Sequence, residues 1–197
     1  MLREESVTNS DRSATVTEPS GTWLIDALGG RCEVNEDSRW FVLQTRARQE
    51  KAVFAQLRAI EAPVFLPLVT QTRYYGRSKL QVGLPLFPNY VFLFGRKEQA
   101  YIADRNKRLV NILPVADQEH LDWELRNLHM ALEHEAPLDP YPYLKVGVRV
   151  EVRAGPCKGL QGLIEARGRA DRLILQVDML GRAMSMEIDA SLLEPIE

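Results

Sequence analysis

The side chains that could perform covalent or metal chemistry are few, and their spacing favours neither. They are three histidines and two cysteines, His120, His129, His134, Cys32 and Cys157. His129 and His134 are five residues apart in a predicted helix and point to different sides, which disfavours a shared metal ion. The G-P-C-K-G of residues 155–159 lacks the G-x-x-x-x-G-K-[ST] spacing of a phosphate loop. We therefore predict solvated helix histidines, no metal or other cofactor, and no enzymatic activity.

The chemistry that the sequence does favour is non-covalent binding. The run G-L-P-L-F-P-N-Y-V-F-L-F-G, residues 83–95, places two prolines, an asparagine and four aromatic residues beside an apolar segment. A Pro-Asn step fixes the chain as it enters a strand, and aromatic rings bury much area with few rotamers to freeze. Tyr90 and Phe92 share one face of this strand, and with Phe87 and Pro88 we expect them to form an exposed apolar depression for a partner. The alternative is that the domain's own helices cover both faces.

A cluster of cations lies close to this run. Residues 62–97 contain five basic residues and no acidic one. Arg73, Arg77 and Lys79 lie at a predicted hairpin, with Tyr74 and Tyr75 between them. Cations of this kind bind backbone phosphates, and a tyrosine ring can stack on an unpaired base. The segment predicts a nucleic-acid contact, and the alternative is a solvated hairpin tip.

Composition limits the class of protein. The chain has 197 residues, 45% of them hydrophobic and 26% charged, which is typical of globular proteins. A net charge of -2 disfavours a protein that coats nucleic acid over its whole surface. The sequence has no apolar run of membrane-helix length, no secretion signal and no disulfide framework. We expect a cytoplasmic protein, monomeric and without membrane contact.

The periodicity of residues 39–136 predicts an α+β domain with a mainly antiparallel sheet flanked by helices. The predicted strands are residues 40–45, 64–75, 90–94 and 110–115. The predicted helices are residues 46–61, with Ile60 on the apolar side, then 98–108, then a helix that begins after Asp117. Leu121, Leu125, Leu128 and Leu132 form a stripe on this last helix that would pack on the sheet.

The domain boundaries are expected where composition changes. Residues 1–38 are acidic and rich in Ser, Thr and Gly, and we predict a disordered leader with a short apolar island at residues 23–25. Residues 137–143 hold three prolines and predict a linker without regular structure. In residues 144–197 the period changes to two, with Val146, Val148, Val150 and Val152 on one face. About five short strands between glycine turns then predict a small β-barrel.

Five motifs occur in a characteristic order. They are W-F-V-L-Q-T at 40–45 with E-K at 50–51, F-L-P at 65–67, F-P-N-Y-V-F at 87–92, V-R-A-G-P-C-K-G-L-Q-G at 152–162 and D-M-L-G-R-A at 178–183. Together they resemble the NusG family of transcription elongation factors over residues 39–197. The P-L-F-P-N-Y of residues 85–90 is more similar to the specialised, RfaH-type members than to the F-P-G-Y of the general factor.

The resemblance implies an N-terminal NGN domain and a C-terminal KOW β-barrel. It implies that the NGN domain docks on the clamp helices of RNA polymerase beside upstream or non-template DNA, and reduces pausing and termination. It also implies that the KOW domain recruits a ribosomal protein or a termination factor. RfaH-type members can hold this domain as a helical hairpin, but the valine alternation here favours strands. The alternative function is a KOW-containing RNA- or ribosome-binding module that does not bind polymerase.

Residue by residue, the resemblance and the patterns above give three candidate sites. The candidate polymerase-binding residues are Leu86, Phe87, Pro88, Asn89, Tyr90, Phe92 and Tyr101. Tyr101 stands where RfaH-type members carry a hydroxyl-rich motif. The candidate DNA-binding residues are Arg46, Arg48, Arg73, Tyr74, Arg77 and Lys79. The candidate KOW and partner residues are Gly155, Pro156, Lys158, Gly159, Leu160, Gly162, Gly181 and Arg182. Among the last set, Lys158, Leu160 and residues 180–182 are expected to be exposed, and Gly155, Gly159 and Gly162 to serve tight turns.

Overall fold

The protein is a mixed α+β structure followed by a strand-rich region. The computed structural model describes residues 23–24, 38–75, 78–141, 147–164 and 172–196. The first part contains β1 (Trp23–Leu24), β2 (Arg39–Thr45), α1 (Glu50–Arg58), β3 (Val64–Leu66), β4 (Leu68–Tyr75), β5 (Ser78–Pro85), β6 (Tyr90–Gly95), α2 (Lys97–Asp104), β7 (Leu109–Pro114) and α3 (Gln118–Glu133). The second part contains β8 (Asp139–Tyr141), β9 (Val148–Val152), β10 (Gln161–Ile164), β11 (Arg172–Val177), β12 (Arg182–Glu187) and β13 (Leu193–Pro195).

The N-terminal sheet has five antiparallel strands in the order β1-β3-β6-β2-β7. Its two central strands are the W-F-V-L-Q-T and N-Y-V-F segments, which pair from Arg39 with Gly95 to Gln44 with Tyr90. Both strands are bulky and β-branched or aromatic, as buried strands usually are. Strands β4 and β5 form a separate two-stranded hairpin.

The two faces of the N-terminal sheet have separate hydrophobic cores, because successive side chains of a strand point to opposite faces. Val91 and Leu93 of β6 pack with residues of α1 and α2. Phe92 and Phe94 pack in the other cluster, which contains the leucines of α3. The predicted leucine stripe of α3 is confirmed for Leu121, Leu125 and Leu128, and the Asp117 side chain accepts a hydrogen bond from the His120 N–H as the N-cap. Ile60, predicted on the apolar side of α1, lies beyond its end and is 39% exposed.

The C-terminal sheet has six antiparallel strands in the order β13-β9-β10-β11-β12-β8. The prediction of strands here is confirmed for the described residues. Val150 and Val152 are buried as the alternation predicted, whereas Val148 is 38% exposed. Val146 lies outside the described residues.

Two predictions about the connecting segments need correction. The proline-rich segment was expected to lack regular structure, yet Asp139–Tyr141 forms β8 and pairs with β12. Proline is tolerated there because β8 is at the end of the strand order, where a missing N–H does not interrupt a ladder. In the segment predicted as a leader, Trp23 and Leu24 form β1 and pair with Leu66 and Phe65.

Helix α3 lies between the two sheets. One hydrophobic cluster includes its leucines together with Trp40 and Phe65 of the N-terminal sheet and Val150 and Leu173 of the C-terminal sheet. None of the three described α-helices combines the length and the apolar character that crossing a membrane requires.

Candidate functional site

The Pro-Asn step is a tight turn that leads into β6. Asn89 has a φ of 71°, a left-handed conformation that asparagine tolerates better than most residues. The Asn89 N–H donates to Glu50 Oε1 at 2.8 Å, and the Asn89 carbonyl accepts from the Thr45 N–H at 2.8 Å. Glu50 is the glutamate of the E-K motif and is buried. The turn is therefore fixed from two sides, by the start of α1 and by the end of β2.

The aromatic rings around this turn do not form the expected exposed depression, and that prediction is wrong. Leu86, Phe87 and Phe92 are buried, with Phe92 at 0% exposure. The Phe92 ring lies 6.1 Å from Phe65 and 6.3 Å from Phe87, centroid to centroid. The residues share a cluster with the leucines of α3, because α3 covers this face of the sheet as α1 and α2 cover the other. What remains accessible is Pro88, which is exposed, and the half-buried Asn89 and Tyr90.

Tyr101 lies on α2 and is 56% exposed. The Lys97 ammonium lies 5.7 Å from the centroid of its ring, in a cation–π arrangement. A cavity beside it is lined by residues of β2, α2 and β7 and by Gln118. The tyrosine is thus accessible, with a positive charge over its ring.

The predicted hairpin is confirmed as β4 and β5, which pair from Leu68 with Pro85 to Tyr75 with Ser78. Arg73, Tyr74 and Lys79 are exposed near its tip, Tyr74 by 72%. Tyr74 and Lys79 are opposite each other in the register. Arg77 and the turn lie outside the described residues. The described cations and the ring are therefore accessible to a partner on a two-stranded arm.

Arg46 and Arg48 follow β2 and are both exposed. The Arg46 N–H donates to the Arg108 carbonyl at 2.8 Å, and Arg48 has a φ of 62°. They lie on the loop that connects β2 to α1, next to Glu50, which holds the Pro-Asn turn.

The G-P-C-K-G-L-Q-G segment connects β9 to β10. Gly155 and Gly159 each have a φ of 88°, so the prediction of glycine-requiring turns is confirmed for both. At Gly162 a Cβ would lie 2.6 Å from the Ile174 carbonyl oxygen, so a side chain is excluded there by close strand approach. Leu160 was expected to be exposed for a partner, but its exposure is 0% because it packs in the core.

The exposed members of the candidate partner set are Gly155, Pro156, Lys158, Gly181 and Arg182. Gly181 has a φ of 57° at the turn before β12. Cys157, next to them in sequence, is buried, and burial raises the pKa of its thiol. This cysteine is therefore a poor nucleophile and a core residue.

The contact between α3 and the C-terminal sheet contains buried polar groups. The Gln161 N–H donates to Asn127 Oδ1 at 2.8 Å, and the Trp123 indole N–H donates to Gln161 Oε1 at 3.0 Å. The Asp178 N–H donates to Glu124 Oε1 at 2.8 Å. Glu124 and Asn127 are 4% and 7% exposed. These bonds satisfy groups that would be costly to bury alone.

Burial raises the pKa of Glu124 to about 8, and the negative charge of Asp178 adds to the rise. His120 Nε2 lies 3.2 Å from Glu124 Oε1 and 2.9 Å from Asp178 Oδ2. His129 lies on the opposite side of α3, edge-on to Phe65, where burial lowers its pKa. The prediction of solvated histidines is therefore wrong for His129, whereas His120 is half-buried and His134 is exposed.

Sequence reasoning missed three of these residues. Glu50 carried a signal, since it belongs to a motif, but its partner Asn89 is 39 residues away. In the sequence, Glu124 and Asn127 belong to the polar side of an amphipathic helix, and that side ordinarily faces water. Because the second sheet covers that side, the period of the helix alone could not identify them.

One family model matches part of the N-terminal region of this chain. Residues 38–118, less than half of the chain, match the family described as "Transcription termination factor nusG". A structure of Thermotoga maritima NusG is similar at 21% identity, with 81% of this chain and 98% of that chain covered and a TM-score of 0.40. A structure of the MjSpt4:Spt5 complex is similar at 14% identity, covering 80% of this chain and 97% of that one, with a TM-score of 0.27. No curated protein is significantly similar in sequence.

The matched segment contains β2, α1, β3, the hairpin, the Pro-Asn turn, β6, α2 and β7. These are the elements that carry the first three sequence motifs. Residues 38–118 of this chain are therefore NusG-like.

Proposed function

We propose that this chain is a transcription elongation factor whose N-terminal domain, residues 39–136, binds RNA polymerase. The observation that carries the proposal is the match of residues 38–118 to the NusG family, over the elements that hold the Pro-Asn turn. We further propose a specialised, RfaH-type role in the cytoplasm, in which the protein reduces pausing and termination without catalysing a reaction. The P-L-F-P-N-Y sequence supports this part of the proposal.

The polymerase contact is made by the accessible members of the candidate set. Pro88, Asn89 and Tyr90 present a turn whose backbone is held by Glu50 and Thr45, so little ordering is required on binding. Leu86, Phe87 and Phe92 support that turn from the core rather than touching the partner. Tyr101 supplies a second exposed aromatic residue on α2.

Retention of the protein on core RNA polymerase tests this contact. Tyr90→Ala is expected to reduce retention at least tenfold, since truncation of an interface tyrosine can cost about 2 kcal/mol or more. Phe92→Ala also removes a core ring, so its effect would not separate binding from folding. The matched control is Tyr141→Ala, a half-buried tyrosine of β8. Equal retention of Tyr90→Ala and the control would refute a contact at this turn.

The β4–β5 hairpin is proposed to contact upstream or non-template DNA. Arg73 and Lys79 would bind phosphates, Tyr74 would stack on an unpaired base, and Arg46 and Arg48 would add charge from the β2–α1 loop. The exposure of Tyr74 supports this, because an apolar ring projecting on a basic arm has little role in folding. Arg77 belongs to the same set by sequence.

The salt dependence of binding to a DNA-containing elongation complex tests this part. Alanine at Arg73, Arg77 and Lys79 is expected to reduce the slope of log K against log salt by about 0.7–0.9 for each phosphate that the variant no longer binds. The control carries the same charge change elsewhere, at the exposed Arg58, Arg105 and Lys107. An unchanged slope in the hairpin variant would remove DNA from the proposal.

The C-terminal domain, residues 144–197, is proposed to be a KOW domain that recruits a ribosomal protein or a termination factor. The exposed Lys158 and Gly181 lie in two turns, and the exposed Arg182 follows the second one at the start of β12, so that backbone and cationic groups can be presented to such a partner. The alternative function is an RNA- or ribosome-binding module. Binding to ribosomes or RNA through these turns, without retention on RNA polymerase, would favour that alternative.

A further inference from the structure

Three metal-ligating side chains converge where α3 contacts the turn after β11. His120 and Glu124 are four residues apart on α3 and share a face, and Asp178 approaches them from the C-terminal sheet. One donor atom from each lies within 4.8 Å of the other two. We propose that His120, Glu124 and Asp178 form a binding site for a divalent transition-metal cation that links α3 to the C-terminal sheet.

The spacing of the donor atoms suits a shared ion. His120 Nε2 is 2.9 Å from Asp178 Oδ2 and 3.2 Å from Glu124 Oε1. Donors about 2.0–2.2 Å from one ion are about 3–3.5 Å apart when adjacent in its coordination shell. Small movements would therefore admit the cation. An imidazole nitrogen with two carboxylates favours ions such as Zn²⁺ or Mn²⁺ over Mg²⁺, which prefers oxygen ligands and bound water.

A second set of hydrogen bonds orients the ligands. Gln176 Nε2 donates to Asp178 Oδ1 at 2.7 Å, while Oδ2 is the oxygen next to His120. The Asp178 N–H donates to Glu124 Oε1 and ties the two carboxyl groups together. Metal ligands in proteins are commonly held by such outer hydrogen bonds.

Space and charge also favour an ion. A cavity of about 420 Å³ is lined by all three ligands and by Trp123, Asn127 and Gln176, which gives room for water to complete the coordination. A cation of charge +2 would be attracted to the carboxylate of Asp178 and would favour the ionised form of the buried Glu124. Arg149 lines the same cavity, but its guanidinium lies over the Trp123 ring, 5.2 Å from the centroid.

Because the ligands come from two parts of the chain, the ion would strengthen the contact between α3 and the C-terminal sheet. Any cation bound only when the two are in contact shifts the equilibrium toward contact. This inference does not depend on the proposed role in transcription, since it concerns α3 and the C-terminal sheet alone.

Calorimetry on the metal-free full chain tests the site directly. Zn²⁺ is expected to bind one to one and more tightly than Mg²⁺. His120→Gln and Asp178→Asn are each expected to weaken binding at least tenfold, as removal of one of three protein ligands would. His134→Gln, at an exposed histidine outside the cluster, is the matched control and is expected to bind as the parent does.

Trp123 gives an independent readout, because its ring is stacked on His120 with centroids 5.7 Å apart. Co²⁺ at the site is expected to quench its fluorescence, and Trp123→Phe to remove that change. Melting in EDTA shows whether each variant is folded. If His120→Gln does not fold, the affinity of Asp178→Asn for Zn²⁺ becomes the test of the site. The Asp178 side chain is 40% exposed, so its replacement is expected to leave the fold intact. Absence of saturable Zn²⁺ binding, or equal affinity of Asp178→Asn and parent, would overturn the proposal and leave a hydrogen-bonded contact.

Discussion

The two sides of α3 meet the two sheets with different chemistry. Toward the N-terminal sheet the helix presents leucines, together with polar bonds to the buried Trp40: the Trp40 N–H donates to Gln118 Oε1, and the indole N–H donates to Asp122. Toward the C-terminal sheet it presents Trp123, Glu124 and Asn127; Trp123 and Asn127 hydrogen-bond to Gln161 of β10, and Glu124 accepts from Asp178 in the turn after β11. An apolar contact is costly to expose to water, whereas a polar one can exchange its partners for water. The contact with the N-terminal sheet therefore depends mainly on apolar burial, whereas the contact with the C-terminal sheet combines hydrogen bonds with the apolar cluster that α3 shares with Val150 and Leu173.

The largest expected effect is on the apolar side. Leu125→Ala removes a fully buried side chain and is expected to lower the free energy of unfolding by about 2–5 kcal/mol. Urea denaturation measures it. Leu80→Ala, at a leucine that is 50% exposed on β5, is the control and is expected to cost about 0.5 kcal/mol or less. Similar costs for the two leucines would contradict the assignment of this side as core.

The polar side is expected to respond locally. Asn127→Ala leaves the Gln161 N–H without its acceptor and is expected to weaken the contact by about 1–3 kcal/mol. Hydrogen exchange is expected to become faster at Gln161 and unchanged in β2 and β6. Asn127→Asp keeps an acceptor oxygen and serves as the comparison. Faster exchange throughout the N-terminal sheet would mean that the two contacts form one cooperative unit.

The smallest effect concerns His129, the polar exception on the apolar side. Burial lowers the pKa of His129 from its ordinary value of 6.5, and the positive charge of Arg126 lowers it further. The carboxylate of Glu133 opposes this effect, because its Oε1 lies 3.1 Å from His129 Nε2. The unfolded chain therefore binds the proton first as pH falls. The contribution of His129 to the free energy of unfolding is complete above the ordinary histidine pKa and is lost as pH falls from about 6.5 to the lower folded value, whereas Glu124, whose pKa is raised, contributes in the opposite direction. His129→Phe is expected to flatten this loss in unfolding measurements between pH 8 and pH 5.

His134→Gln, at an exposed histidine, is the control for that measurement and is expected to keep the pH dependence of the parent. If His134→Gln flattened the pH dependence of the free energy of unfolding and His129→Phe did not, the titrating group would be His134 and the prediction for His129 would be wrong.

The elements of this protein were largely predictable, because their signals are local. The leucine stripe and the Asp117 cap define α3 within 16 residues, and the alternation at Val150 and Val152 defines β9. Failures came where distant segments meet. The same alternation that correctly placed Phe92 on one face of β6 could not tell that α3 would cover this face. Leu160 followed an exposed turn yet packs in the core for the same reason.

By itself the sequence determined the α+β order, the strand-rich second part and the motif that marks residues 38–118 as NusG-like, because spacing along the chain encodes which residues share a face. Tertiary structure alone decided that α3 is buried on both sides, that Glu50 holds the Pro-Asn turn, and that His120, Glu124 and Asp178 meet. Those outcomes depend on contacts between residues 34 to 82 positions apart, which the spacing within one helix or strand does not encode.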